Sequence, residues 1–279
     1  MLITPKKLYI VSTPIGNLED ITLRALEVLK KSNIILCEDT RHSIKLLNHY
    51  DIKKKLIPYH KFNEKKQIAS IIKYINEGKI LSLVSDAGTP LLSDPGKLLV
   101  NDCLANDIEV IPIPGVSSIT AAMSVSGFKD QFLFYGFLPK TLNKLEKVLN
   151  SLSNNQFTQI FFVPSKKVNF YLKSFEKFFS GRKILIAKEI TKIHETFLRG
   201  EIDKLKIAKS TLKGELTIVV SEKNSRTKVF DEEKIVNKAK KYLKSYSLKD
   251  TVSLISETEK VNRKKIYNLC LKIKNEKSL

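Results

Sequence analysis

Short apolar runs alternate with longer amphipathic stretches over the first 222 residues of this 279-residue chain. The runs have the length of buried strands, and the stretches between them repeat apolar residues at the three- and four-residue spacing of helices that pack on a sheet. This alternation predicts an α/β fold. The predicted strands cover residues 8–12, 33–37, 80–85, 109–113, 131–135, 158–163, 183–188 and 216–221. The predicted helices cover residues 21–31 (with Asp20 as N-cap), 43–50, 66–76, 96–105, 116–126, 142–152 and 166–179.

The pattern changes after residue 222, where a polar linker is followed by helical periodicity without a strand candidate. We therefore predict three parts: an N-terminal α/β domain (1–116), a second α/β domain (117–222) and a small all-helical C-terminal extension (229–279). The extension is predicted to form helices over 232–245, 247–258 and 262–274.

Charge separates these parts. The chain has 49 Lys and Arg against 29 Asp and Glu, a formal net charge of +20. Residues 1–116 carry a net +3, residues 117–222 a net +8 and residues 223–279 a net +9. A general drift of composition toward lysine would be more even. The excess therefore indicates a polyanionic partner, either nucleic acid or an acidic membrane face, and charge alone does not separate the two.

The chain is expected to be cytoplasmic. Its three cysteines are scattered and lack CxxC spacing, which is typical of buried thiols in a reducing compartment. The N-terminus lacks the pattern of a signal peptide. No apolar run reaches the roughly 20 residues that a membrane span needs, so no membrane-spanning segment is expected.

Candidate chemistry lies in four loops rich in Gly, Pro and small polar residues. They cover residues 12–20, 37–42, 85–96 and 112–118, and each follows a predicted strand. Ligands of open α/β sheets bind at the carboxyl ends of the strands. Glycine lets a backbone approach a ligand closely, so the four loops together predict a ligand site.

Several familiar sites are absent from the sequence. It contains neither the G-x-G-x-x-G dinucleotide fingerprint nor a P-loop. His194-Glu195 lacks the second histidine of H-E-x-x-H, and four dispersed histidines make a zinc site improbable. No G-x-S-x-G nucleophile motif occurs. We predict no metal site.

One family accounts for these loops. Residues 8–26 (LYIVSTPIGNLEDITLRAL) closely resemble the ribosomal RNA small subunit methyltransferase I family, part of the tetrapyrrole methylase superfamily. The resemblance continues in the same order over nearly the whole chain. Its further motifs are EDTRH (38–42), His60 with Asn63-Glu64, VSDAGTP (84–90), DPG (94–96), Pro114-Gly115, YGFLP (135–139), EITK (189–192), Glu195-Thr196 and KGE (213–215).

The resemblance implies a function that spacing does not give. Its members transfer a methyl group from S-adenosylmethionine to the ribose 2′-hydroxyl of a cytidine in the decoding region of 16S ribosomal RNA. They have two α/β domains with the cofactor in the cleft between them, and they form dimers. A 16S rRNA partner in the small ribosomal subunit, a homodimer and a basic, helix-turn-helix-like RNA-binding extension are thus expected here. The resemblance also decides between the two polyanionic partners: we expect RNA and no membrane partner.

The resemblance also implies the site residues. The expected cofactor contacts are Pro14, Gly16, Asp86, Ala87, Gly88, Thr89, Ser117, Ser118, Val163 and Leu216. For the two serines, N-capping of the following helix is the structural alternative. For Asp86 the alternative is stabilisation of its own turn.

Asp39 and Arg41 are the first candidates for catalysis. We hypothesise that Asp39 orients or deprotonates the 2′-hydroxyl while Arg41 binds a phosphate bidentately. Glu38 and Glu189 are further catalytic candidates. The alternative is an Asp39–Arg41 pair with a purely structural role.

The chain departs from the family at one motif. Where the family has an aromatic residue followed by Glu-Ser-Pro-His-Arg, this chain has Phe162 followed by Val163-Pro164-Ser165-Lys166-Lys167. The substitutions keep the positive charge but remove the carboxylate, so any role of that Glu is in doubt for this chain. Lys167 is also a poor substitute for the family's Arg, whose guanidinium can bind a phosphate through two hydrogen bonds. Lys166, Lys167, Lys260, Arg263, Lys264 and Lys265 are the predicted RNA-binding residues.

Two alternative functions stay open at this point. A tetrapyrrole or other small-molecule methylase would share the loops, but such a substrate requires neither the net charge nor the extension. A ribosome-assembly or RNA-binding factor that has lost activity would explain the Val163 departure. The intact strand-end loops argue against that second alternative.

Overall fold

The computed structural model describes residues 3–205, 214–223, 232–259 and 263–275. They form two compact units, Met1–Lys223 and Asn224–Leu279. The mixed α/β architecture and the helical C-terminal part confirm the predicted fold class. The predicted division at residue 116 stays a prediction, because both sheets belong to the first unit.

The first sheet is parallel throughout, with strand order β3-β2-β4-β1-β5. Every parallel strand therefore ends at the same edge. Its two faces carry separate apolar clusters around Tyr9 and around Leu8, since alternate side chains point to opposite faces. The elements are β1 (Lys7–Val11), α1 (Leu23–Lys31), β2 (Ile34–Cys37), α2 (Thr40–His49), β3 (Lys55–Pro58), α3 (Glu64–Asn76), β4 (Leu81–Val84), α4 (Lys97–Ala105) and β5 (Glu109–Ile113).

The second sheet is mixed, with order β6-β7-β10-β8-β9, and only the β6–β7 pair is parallel. One face packs on a cluster around Phe161 and Phe175, the other on a cluster around Ile160. The elements are α5 (Ser118–Ser124), β6 (Phe132–Phe137), α6 (Leu142–Ser153), β7 (Thr158–Pro164), α7 (Val168–Phe178), β8 (Lys183–Lys188), β9 (Thr196–Glu201) and β10 (Glu215–Val220).

The predicted N-cap at Asp20 is wrong. Asp20 ends a short 3-10 turn, and the Thr22 hydroxyl caps α1 by accepting a 3.1 Å hydrogen bond from the Ala25 amide. Two strands were also missed by the sequence pattern. β3 is short, with an exposed lysine and a proline at its ends, and β9 is a polar edge strand, so neither has the apolar content that marks a buried strand.

The second unit contains three helices among its described residues: α8 (Glu232–Tyr242), α9 (Leu248–Glu259) and α10 (Arg263–Asn275). Ser247 begins α9, since its hydroxyl accepts a 3.2 Å hydrogen bond from the Asp250 amide. The helices enclose a core that includes Ile235, Val252 and Ile266. In the described parts of both units, the helices are too short or too polar for a membrane span.

Candidate functional site

A cavity of about 560 Å³ lies between the strand-end loops of the first sheet and one face of the second. We call it the strand-end cavity. Residues from the β4 loop and the start of α5 line one side, and residues from β6, β7 and β10 line the other. Its lining consists of Ile15, Asp86, Ala87, Gly88, Thr89, Leu92, Ser93, Asp94, Ser117, Ser118, Ile119, Phe137, Phe162, Val163, Pro164, Ser165, Lys166, Ile190, Gly214, Glu215, Leu216 and Thr217.

A short β-bridge connects the first predicted loop (12–20) to the third (85–96). The Thr13 amide donates to the Gly88 carbonyl at 2.9 Å, and the Gly88 amide donates to the Thr13 carbonyl at 3.0 Å. Gly88 has a φ of +79°, a conformation that favours glycine. The Thr89 hydroxyl lies 2.9 Å from that of Ser12 and donates to the Val116 carbonyl at 3.1 Å. Three of the four predicted loops are thereby joined around the strand-end cavity.

The predicted contacts Pro14 and Gly16 are not among the described residues that line this cavity. Gly16 instead packs against the turn after β8, where a Cβ on it would come within 2.5 Å of Lys192 Cγ and 2.9 Å of Thr191 Oγ1. The Asn17 amide donates to the same Thr191 hydroxyl at 3.1 Å. This glycine therefore joins the first loop to the second sheet.

The other eight predicted cofactor residues do line the cavity. Ser117 is the N-cap of α5, but its hydroxyl makes no capping hydrogen bond, so the structural alternative to ligand binding gains no support. Val163 and Leu216 face each other across the antiparallel β7–β10 pair. Val163 is only 2% exposed and packs in the apolar core, so a carboxylate at this position would be buried among apolar side chains.

Carboxylates gather at the β4 side of the cavity. Burial, and then the charge of Glu38, raise the pKa of Asp94 to about 6. Burial and the charge of Asp86 likewise raise the pKa of Glu38. The Asp86 carboxylate accepts a 3.1 Å hydrogen bond from the Asp39 amide, which ties the β2 loop to the β4 loop. Asp94 and Asp86 line the cavity directly, whereas Glu38 is not among its lining residues.

Asp39 and Arg41 form a bidentate ion pair, with Arg41 Nε 3.0 Å from Oδ1 and Nη2 2.6 Å from Oδ2. The Asp39 carboxylate also begins α2 by accepting from the Arg41 amide at 2.9 Å. These hydrogen bonds from Arg41 lower the pKa of Asp39 to about 2. The ion pair considered above as the structural alternative is therefore present, and the low pKa makes the Asp39 carboxylate a weak base. Neither residue lines the cavity.

Glu189 holds the far side of the site together. It accepts a 2.8 Å hydrogen bond from the Glu215 amide and a 3.2 Å one from Lys192 Nζ, and the first of these contributes most to lowering its pKa. Gly214 has a φ of +96°, and a Cβ on it would collide with the Glu189 side chain. Since Gly214 and Glu215 line the cavity, Glu189 shapes its wall from outside.

The predicted RNA-binding residues are spread over both units. Lys166 lines the strand-end cavity, and Lys167 is exposed beside it without lining it. Arg263 is exposed at the start of α10 and donates to the Ser253 hydroxyl at 3.0 Å. Lys260 and the side chains of Lys264 and Lys265 lie outside the described residues.

Sequence reasoning missed several lining residues as site residues. Asp94 and Phe137 are the most informative of these, and each lies in a motif of the resemblance, DPG (94–96) and YGFLP (135–139) respectively. The motifs were the available signal. Among the described residues, no group of His, Cys, Asp or Glu is arranged to hold a metal ion.

Comparison with known proteins now places the chain. The family model for Tetrapyrrole (Corrin/Porphyrin) Methylases matches residues 7–206. Ribosomal RNA small subunit methyltransferase I of Mesomycoplasma conjunctivae is 46% identical over 80% of this chain and 94% of that protein. The protein of the same name from Buchnera aphidicola is 38% identical over 95% of this chain and 96% of its own length.

Solved structures share the fold. The methyltransferase CobJ covers 77% of this chain and 94% of its own, with a TM-score of 0.60 at 18% identity. Uroporphyrin-III C-methyl transferase from Thermus thermophilus, complexed with S-adenyl homocysteine, covers 76% of this chain and 96% of its own, with a TM-score of 0.53 at 16% identity.

Fold and family model define a methyltransferase of the tetrapyrrole methylase class. The chain belongs to the tetrapyrrole methylase family and, within it, to the group of ribosomal RNA small subunit methyltransferase I proteins.

Proposed function

We propose that this protein uses S-adenosylmethionine to methylate the ribose 2′-hydroxyl of a cytidine in the decoding region of 16S ribosomal RNA. The observation that carries the proposal is the glycine- and carboxylate-lined strand-end cavity in a chain whose relatives, aligned over nearly its full length, are named small subunit rRNA methyltransferases. Small-molecule methylation is the competing function. The net charge of +20 favours RNA because most of the excess lies in residues 117–279, outside the part that holds most of the proposed cofactor loops.

The strand-end cavity suits the cofactor. Its volume of about 560 Å³ lies in the range of small-molecule sites. Ile15, Ile119 and Ile190 offer apolar contacts for an adenine ring, and the Asp86 carboxylate can accept hydrogen bonds from hydroxyl or amino groups. The φ of +79° at Gly88 lets the backbone approach the ligand without a side chain. Ser117 and Ser118, at the start of α5, add hydroxyl groups on the same side of the cavity as the β4 loop.

The bound cofactor would supply an already activated methyl group, so the protein has mainly to position the acceptor hydroxyl. The Asp39–Arg41 pair lies on the β2 loop, one hydrogen bond away from the cavity residue Asp86. We assign Asp39 the orienting part of its hypothesised role, because a pKa of about 2 makes it a poor proton acceptor. Arg41 is exposed and remains our candidate for a phosphate contact.

Asp94 is better suited than Asp39 to accept the proton. It lines the cavity, and a pKa of about 6 leaves it ionised at neutral pH while keeping it a useful base. Glu38 reinforces this property through its charge. Glu189, which is held by Lys192 and the Glu215 amide, is assigned to positioning the cavity wall and not to proton transfer.

The positive charge of the chain supports an RNA partner. Residues 117–222 and 223–279 carry most of the excess, while residues 1–116, which hold most of the proposed cofactor loops, are nearly balanced. Lys and Arg side chains neutralise phosphates and provide salt-dependent affinity without sequence selection. Binding by the basic helical extension and by Lys166 and Lys167 is part of the proposal, as are the homodimer that the resemblance implies and the cytoplasmic location that the scattered cysteines favour.

A parallel-substrate experiment tests the function class. The protein is incubated with methyl-labelled S-adenosylmethionine and either unmodified small ribosomal subunits or a uroporphyrin-type tetrapyrrole. We expect label in the RNA and none in the tetrapyrrole. Label in the tetrapyrrole alone would establish the small-molecule alternative, and label in neither, from a folded protein that binds the cofactor, would favour the non-catalytic one.

A further inference from the structure

Phe137 is an exposed aromatic residue on the lining of the strand-end cavity. Its side chain is 60% exposed, although it lies on a strand of the second sheet beside the buried core. Leu92, from the β4 loop, lines the same cavity and is 41% exposed. Large apolar side chains that are exposed together at one site mark interaction surfaces or ligand-binding grooves.

A β-bulge brings Phe137 to the cavity side. In a regular strand, residues three apart point to opposite faces of the sheet. Here Phe134 and Phe137 both contact Phe162: the distance between ring centroids is 5.0 Å from Phe134 to Phe162 and 5.4 Å from Phe137 to Phe162. The register between β6 and β7 shifts between Phe134 and Gly136, so one additional residue returns Phe137 to the face that Phe134 shares.

The bulge is fixed by a close contact with the β4 loop. Gly136 has a φ of +82°, and a Cβ on it would lie 2.7 Å from the Ser93 hydroxyl oxygen. Leu91 and Ser93, on either side of Leu92, also have positive φ values of 72° and 75°. Unfavourable backbone conformations at two non-glycine residues thus accompany the placement of these two exposed side chains.

We propose that Phe137, with Leu92 on the same cavity lining, is a stacking platform for an unpaired base of the RNA substrate. The inference rests on the proposed function. Single-stranded RNA is recognised by stacking its splayed bases on aromatic side chains. An exposed ring on the cavity lining meets a base that arrives from solvent. The exposed cation Lys166 on the same lining is available for the neighbouring phosphate.

The cofactor is the competing occupant of this surface. Small-molecule sites bury most of their ligand's surface, and the less exposed apolar residues Ile119, Ile190 and Phe162 on the same lining meet that need. Phe137 stands out from them by its exposure. The assignment therefore predicts that removing the ring weakens RNA binding and leaves cofactor binding intact.

The test compares full-length wild-type protein with Phe137→Ala, Phe137→Trp and the control Phe132→Ala. Phe132 lies on the same strand and is 42% exposed, but it does not line the cavity. The measurements are KM and kcat with unmodified small ribosomal subunits and the affinity for S-adenosylhomocysteine by calorimetry. Because base stacking contributes about 1–3 kcal/mol, we expect Phe137→Ala to raise KM by about fivefold to a hundredfold, with cofactor affinity within about twofold of wild type.

Phe137→Trp should restore a KM near the wild-type value, and Phe132→Ala should behave as wild type. An unchanged KM in Phe137→Ala, or a loss confined to cofactor affinity, would overturn the platform while wild-type labelling of RNA still supported the proposed function. A wild-type protein that labels no RNA would instead refute the proposed function, and the platform with it. Equal melting temperatures of the variants serve to exclude misfolding.

Discussion

The backbone amide of Asp39 donates a 3.1 Å hydrogen bond to Oδ1 of Asp86. It connects the loop after β2, which holds the Asp39–Arg41 pair, to the loop after β4, which lines the strand-end cavity. Asp86 therefore has two positions of contact: it lines the cavity, and its carboxylate accepts the hydrogen bond that positions Asp39. If Asp86 binds the cofactor as proposed, this hydrogen bond couples cofactor binding to the arrangement of the proposed substrate residues.

Substitution of Asp86 should separate these two roles. Asp86→Ala removes both the charge and the acceptor, whereas Asp86→Asn keeps an oxygen that can accept from the Asp39 amide. Loss of a charged hydrogen-bonding group costs about 1.5–3 kcal/mol, so we expect Asp86→Ala to weaken S-adenosylhomocysteine binding by about tenfold to a hundredfold. Calorimetry measures it. Cofactor affinity equal to wild type in Asp86→Ala would contradict a ligand role.

Asp94 and Asp39 should differ in their effect on the pH dependence of methyl transfer. If Asp94 accepts the proton, wild-type activity rises as pH increases through about 6, because the base must be ionised. Asp94→Asn should lower kcat by about a hundredfold or more and abolish that rise. Asp39→Asn should keep the rise, with a smaller loss. The idea fails if Asp94→Asn retains both the wild-type rate and its pH profile while the protein still binds cofactor.

The same carboxyl group should affect stability. Its pKa in the folded protein is raised to about 6 by burial and by Glu38, so ionisation disfavours the folded state. The stability that Asp94 confers when protonated is present below its unfolded-state pKa and is lost as pH rises through about 6. Asp94→Asn should therefore melt at a higher temperature than wild type at pH 8. Thermal melts at pH 8 and pH 4 check this, since the difference should shrink at the lower pH; a destabilised variant at pH 8 would contradict it.

Gly16 should be needed for packing and not for a cavity contact. Alanine there would place a methyl group 2.5 Å from Lys192 Cγ and 3.0 Å from the Ile190 carbonyl oxygen. The lysine chain can move, but the backbone cannot, so we expect Gly16→Ala to cost about 1–3 kcal/mol of unfolding free energy. Denaturant unfolding gives this value. Unchanged stability would show that the turn after β8 adjusts freely.

The helical unit should determine the salt dependence of RNA binding. Lys249→Ala combined with Arg263→Ala removes two exposed cations from the unit that carries a high net charge. If both contact phosphates, the slope of log affinity against log salt should fall by about 0.7–0.9 for each. Lys30→Ala, an exposed cation on α1 in the nearly balanced part of the chain, is the control. Equal slopes for all three proteins would argue against RNA binding by this face.

Periodicity was sufficient for most strands, because most of them are apolar runs, and β2 and β4 are buried along their whole length. It failed for β3 and β9, whose polar or exposed residues pair only in the context of the sheet. The eight cavity residues were implied by the family resemblance: six lie in the strand-end loops 85–96 and 112–118, and Val163 and Leu216 lie on β7 and β10 of the second sheet. The roles of Asp94 and Phe137 could be recognised only in the three-dimensional structure. The pKa of Asp94 is raised by burial and by the charge of Glu38, and Phe137 reaches the cavity because a β-bulge changes the face of the sheet on which it lies.

Nucleoside analysis tests the central claim most directly. Unmodified small ribosomal subunits are incubated with the protein and methyl-labelled S-adenosylmethionine, the RNA is digested to nucleosides, and the labelled species is identified by chromatography and mass spectrometry. We expect the label in 2′-O-methylcytidine from 16S ribosomal RNA. Label on a base or in another nucleoside would contradict the proposed acceptor, and an absence of label from RNA would contradict the proposed function.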